Sequence, residues 1–264
     1  MRLTHSILAA ALAASVAAPA AAKIDDSFSV DGELFWSIVD ETAERSYTRD
    51  LGIGLQEFLN GVATGQTWSF ANDANLTTFL AETASGNALV WNIGALDGTG
   101  INRYLSTAVP GSTLPVFSNQ ILGFFNDNPD IYLGASNAIK SHISDENDNP
   151  IADGSHIATA ADGPAYAGAA TWGGNFGGRA QGFSNYIGAS DPAALVLFEQ
   201  NSSAFAQRFN PGKTTALQYA GNPYAASFDG SKLTIAAIPE PSTYAMLGLG
   251  LAAIGFAARR RAAK

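Results

Sequence analysis

The chain has 264 residues, 47% hydrophobic and 14% charged, with a mean hydropathy of +0.06 and a formal net charge of −9. That apolar content suffices for a packed core and argues against global disorder. The absence of cysteine excludes thiol catalysis, Cys-ligated zinc and iron–sulfur chemistry. It does not fix the compartment, because a domain of about 200 residues buries enough surface to fold without disulfides.

The first block, 1–22, has the layout of a cleavable secretion signal: Arg2 gives a positive start, an apolar run covers 7–16, and Ala20, Ala21 and Ala22 supply small residues before Lys23. The mature chain is expected to begin near Lys23. The ends together hold Arg2, Arg259, Arg260, Arg261 and Lys264 against Glu240 alone, leaving 9 basic of 14 and 22 acidic of 23 residues between them, about −13 for residues 23–238. A domain so charged is repelled by phosphate backbones, so no nucleic-acid partner is expected.

Residues 23–238 read as one exported β-rich domain. Phe28, Val30, Gly32, Leu34 and Trp36 alternate with Asp31, Glu33 and Phe35, predicting a strand with one face largely buried. Short helices are predicted over 55–62 and 75–83, the second opening after Asn72 and Asp73 with Leu76, Phe79 and Leu80 on one face. Further strands are predicted over 88–93, 194–199, 215–219 and 231–236, with the Asp229-Gly230 step turning a hairpin over 224–238. With 27 Gly and 11 Pro, the expected architecture is an antiparallel β-sandwich with long Gly/Asn-rich loops and one or two short helices.

Chemistry is sparse in this domain. Outside the signal there are two histidines, His142 and His156, and there is no H-E-x-x-H pair, G-x-S-x-G elbow, P-loop or G-x-G-x-x-G fingerprint. A Ser-His-Asp site can assemble across loops without a local motif. The expectation is a protein that is not an enzyme and needs no cofactor. One segment suits calcium, which takes six to eight oxygens: Asp145, Asn147, Asp148 and Asp153 crowd hard ligands into a turn-prone stretch. Pro150 and His156 stand where an EF-hand requires Gly and Glu, and the same composition also describes a solvated acidic turn. Tyr166, Trp172, Phe176, Phe183 and Tyr186, scattered through 160–190, read either as plugs of a loose core or as a stacking platform for sugar rings.

The last block, 239–264, begins with Pro239, Glu240 and Pro241, continues through an uncharged run over 244–258 and ends on Arg259, Arg260 and Arg261. At about 1.5 Å per helical residue the run spans roughly 22 Å, short of the ~30 Å hydrocarbon core, so it crosses only with local thinning or snorkelling arginines. Such a short transmembrane helix leaves its arginines cytoplasmic and the domain outside, in agreement with the signal at the other end. The order and spacing of these features resemble the PEP-CTERM sorting domain of exported proteins of biofilm-forming Gram-negative bacteria. The resemblance implies recognition of Pro239, Glu240 and Pro241 by an exosortase, a transient inner-membrane anchor, and stop-transfer by Arg259, Arg260 and Arg261. It further implies a destination in the periplasm, at the outer surface or in the exopolysaccharide matrix. The stretch from Gly32 to Trp36 through 46–52 is also similar to the start of other such proteins, which implies no activity. The function expected is a structural envelope or matrix protein; a glycan-binding module, with or without calcium, and a polysaccharide hydrolase are the alternatives.

Overall fold

Strand β1 (Glu33–Asp40) is buried along nearly its whole length. The computed structural model describes residues 24, 32–61, 65–97, 100–114, 116–120, 154–168, 187–188, 191–219, 222–237, 251 and 254. After β1 come β2 (Arg45–Gly54), α1 (Leu55–Gly61), β3 (Gln66–Ser69), α2 (Ala74–Glu82), β4 (Leu89–Asp97) and β5 (Arg103–Ala108). They are followed by β6 (Ser155–Thr159), β7 (Ile187–Gly188), β8 (Ala193–Glu199), β9 (Lys213–Ala216), β10 (Gln218–Tyr219), β11 (Asn222–Phe228) and β12 (Lys232–Ala237).

The strands form one antiparallel sheet in the order β3-β12-β11-β8-β5-β4-β1-β2-β6, with β7, β9 and β10 attached beside this path. The expected sandwich of two stacked sheets is thus replaced by a single curled one. Along the path β11 and β1 are four strands apart, roughly 19 Å on a flat sheet at about 4.8 Å per strand. Yet the Trp36 ring of β1 lies 4.7 Å from Phe228 of β11 and 5.0 Å from Phe70 just beyond β3. Right-handed twist accumulated over many strands curls the sheet until its inner faces meet. Near its two edges the curl is bridged by a side chain: Trp68 of β3 donates its indole N–H to the Leu51 carbonyl of β2 at 2.9 Å.

The inner face encloses the larger core, which includes Leu34, Trp36 and Ile38 of β1, Tyr47, Trp91, Leu105, Leu195 and Ile235, with Leu55 and Phe58 from α1 and Leu76 and Phe79 from α2. The outer face carries a second core of Phe35, Val39, Tyr104, Val196 and Phe198, covered by Ile24, Phe117 and residues 165–167. Both faces of β1 are therefore buried, where the alternation predicted one. Phe35 shows why an aromatic fits there: its ring lies over Gly94 of β4, where an added Cβ would come within 2.7 Å of Cζ.

Local chemistry sets the ends of the elements. Asp73 caps α2 by accepting the Leu76 N–H at 2.8 Å. In the β11–β12 hairpin Gly230 takes φ of +94°, and the Asp229 carboxylate accepts the N–H groups of Ser231 and Lys232. These hydrogen bonds hold the Asp229 carboxyl below the usual carboxylate range. The predicted strand over 215–219 is interrupted at Leu217, whose N–H pairs with Leu195 while its carbonyl accepts from Tyr224. Removing the central indole should cost most: Trp36→Ala is expected to lower unfolding free energy by about 3–5 kcal/mol. Trp68→Phe, which loses one hydrogen bond, should cost about 1 kcal/mol, and urea denaturation followed by circular dichroism measures both.

Candidate functional site

Two places combine chemistry with placement, the outer face of the sheet and the end at which β12 leaves it. On the outer face the registers Thr48↔His156, Ser37↔Thr48 and Ser37↔Asn92 set a polar row across β6, β2, β1 and β4. Ser37, Thr48 and Asn92 are buried. The hydroxyls of Ser37 and Thr48 bond each other at 2.8 Å, whereas among the described residues neither the Asn92 amide nor either ring nitrogen of His156 has a hydrogen-bond partner.

Beside the row, Asp50 accepts the Gly52 N–H at 2.7 Å. Burial raises its pKa above the ordinary carboxylate value, against the lowering effects of that N–H and of Arg49. Burial likewise lowers the pKa of His156, with Asp162 opposing. On the inner side Asp73 joins three elements: it receives Tyr47 Oη at 2.5 Å and an Arg49 guanidinium N–H at 2.9 Å while capping α2, and Asn75 reaches Ser155 of β6 at 2.9 Å. This node has its hydrogen bonds made and locks α2 onto β2 and β6.

Of the aromatics between 160 and 190, Tyr166 is buried in the outer-face core, which fits the core-plug reading for that residue. Trp172, Phe176, Phe183 and Tyr186 lie outside the described residues, as do His142 and the calcium candidates Asp145, Asn147, Asp148 and Asp153. Among the described residues no three His, Asp or Glu side chains converge in a way that could hold a metal.

At the other place, β12 is paired on both sides: Lys232 to Ile235 with β3, and Leu233 to Ala237 with β11. Beyond Ile235 it keeps only β11, and it ends at Ala237. A family model of the PEP-CTERM protein-sorting motif matches residues 237–261. The chain carries a PEP-CTERM sorting motif. No curated protein and no solved structure matches the chain. The PEP-CTERM match implies export and membrane-associated sorting, with an exosortase as the processing partner by family. Pro239, Glu240 and Pro241, and the arginines at 259–261, lie outside the described residues; of the apolar run only Leu251 and Ile254 are described, both helical and exposed. Among the described residues no helix is long and apolar enough to cross a membrane.

The hydroxyls and amide of the outer row were missed by sequence reasoning, although Ser37 between Trp36 and Ile38, and Asn92 between Trp91 and Ile93, carry the signal of a polar residue inside an apolar strand. Two pH responses of opposite sign follow from this face. His156, with its folded pKa depressed, should lower stability as pH falls below about 6.5, the unfolded value, and His156→Gln should flatten that slope. Asp50, with its folded pKa raised, contributes stability below the unfolded pKa of about 3.9 that is lost as pH rises through the folded value, so Asp50→Asn should raise stability at neutral pH. Melting temperatures of the two variants across that range check both. Replacing the unpartnered amide, Asn92→Leu should stabilise by about 1–3 kcal/mol in chemical denaturation.

Proposed function

We propose that this chain is a structural, non-enzymatic protein of the envelope or exopolysaccharide matrix of a Gram-negative bacterium, whose curled-sheet domain is the cargo of its PEP-CTERM tail. The observation carrying this reading is the junction: the matched motif starts on Ala237, the residue that ends β12. From Ala237 to Glu240 is three residues, at most about 11 Å of extended chain. A peptidase that cuts at or near Pro239-Glu240-Pro241 therefore meets a folded sheet within about a nanometre of its active site.

The chemistry of the motif fits that crowding. Pro239 and Pro241 have no N–H to donate, so neither can extend a hydrogen-bonded ladder. Glu240 provides one charge between them.

The test is fractionation of a host that makes this protein with and without its exosortase. The wild-type chain should lose mass at its C-terminal side only when the peptidase is present. Glu240→Ala should remain full-length and membrane-bound in both strains. Processing of Glu240→Ala at the wild-type rate, or a full-length membrane form of the wild type in both strains, overturns the reading.

A further inference from the structure

The loop between β8 and β9 combines exposed aromatic side chains with a lack of acidic residues. It exposes large apolar side chains, with Phe205 at 77% and Phe209 at 70% of full exposure, and it is free of negative charge. No Asp or Glu lies between Glu199 and Asp229, while Arg208 and Lys213 do, in a domain whose overall balance is strongly acidic. The Arg208 guanidinium sits over both rings, 4.1 Å from the centroid of Phe205 and 4.6 Å from that of Phe209. Isolated exposed aromatics are ordinary; two flanking one cation are an amphipathic tip.

The loop is also stiffly held. Buried Asn119 passes its backbone N–H to Asn210, its side-chain amide to the Gln207 carbonyl, and accepts the Asn201 N–H on Oδ1. Gln200 closes the base by donating to the Asn119 carbonyl at 2.6 Å. The rings are therefore presented to solvent from a fixed frame.

Position says what they face. The pairs Tyr224↔Ala237 and Ala225↔Ala194 run β8 and β12 in the same direction, so the β8–β9 loop and the sorting tail leave by the same end of the sheet. From the level of Ala194 the strand β8 runs on to Glu199, about 16 Å at roughly 3.3 Å per residue. From Ala237 to Tyr244, where the apolar run starts, the chain reaches at most about 25 Å. The tail is thus long enough for the apolar run to begin level with the loop.

We propose that the β8–β9 loop docks on the phospholipid bilayer, Phe205 and Phe209 entering the headgroup layer and Arg208 meeting lipid phosphate, so that the domain stands on the membrane in one orientation while its tail is anchored. The proposal rests on the membrane reading of the tail given above. Aromatic rings gain by burial at that depth, and a guanidinium between them keeps its charge at the phosphates. An anionic leaflet repels the acidic turn at the opposite end, where Asp40, Glu41 and Glu44 lie, and not this acid-free loop.

The cysteine-free chain permits a direct test with the full-length protein in vesicles of phosphatidylcholine and phosphatidylglycerol. Single substitutions Ser203→Cys in the loop, Thr42→Cys in the turn at the opposite end and Gly248→Cys in the apolar run are each labelled with an environment-sensitive fluorophore. Quenching is then read with lipids spin-labelled near the headgroup. The loop label should be blue-shifted and quenched and the Thr42 label neither, and Phe205→Ser with Phe209→Ser should abolish loop quenching while the Gly248 label stays quenched. A loop label as aqueous as that at Thr42, with the Gly248 label quenched, overturns docking and leaves the tail reading standing. An aqueous Gly248 label overturns both. Shielding of the loop label before vesicles are added, growing with protein concentration, marks a second copy as the occupant and also overturns it.

Discussion

The fold depends on the sheet meeting itself across Trp36. Its indole touches Phe228 from one side of the curl, Phe70 from near the edge and Tyr47 from the neighbouring strand, so one ring ties together elements that the hydrogen-bonded ladder keeps far apart. Because the closing contacts are made by side chains, the sheet need not complete a barrel ladder. The two helices fill what the curl leaves open: α1 adds Leu55 and Phe58 and α2 adds Leu76 and Phe79 to the inner core. Some of the polar strand residues go to the outer face, where Ser37 and Thr48 bond each other, and others, such as Arg49 and Ser155, gather at Asp73 on the inner side.

Sequence reasoning recovered what is written locally. Asp229-Gly230 turns the hairpin, Asp73 opens α2, and the apolar runs of β4 and β8 are strands, because each depends on a few adjacent residues. It missed β5, whose Ser106 and Thr107 are buried although their composition reads as exposed, and β2, in which Arg49 and Asp50 interrupt the alternation. Arg49 is tolerated there because Asp73, 24 residues away, receives its charge. The choice between sandwich and curl was equally hidden: both need alternating strands, and only the meeting of Trp36 with Phe228 separates them. The sorting signal was legible for the opposite reason, being a linear pattern read by another protein rather than by this chain's own fold. The cross-strand neighbours of Asn92 and His156 depend on register between strands distant in sequence, which composition does not carry.

Fold and sorting signal meet without a spacer. A domain that ended on a flexible linker could be processed at leisure, well clear of the bilayer. Here β12 is an interior strand, held between β11 and β3, and Pro239-Glu240-Pro241 begins two residues after it. On the proposed reading, the shape of the sheet at that end becomes part of what the processing enzyme encounters.

That same placement of β12 has a mechanical side. A pull on the tail acts along the axis of a strand whose hydrogen bonds to both neighbours lie across the line of force. The ladder is loaded in shear, with its rungs sharing the strain, and does not peel open one rung at a time as an edge strand drawn sideways would. A cargo attached in this way can be tugged, turned and cut at its tether while the Trp36 cluster above stays shut.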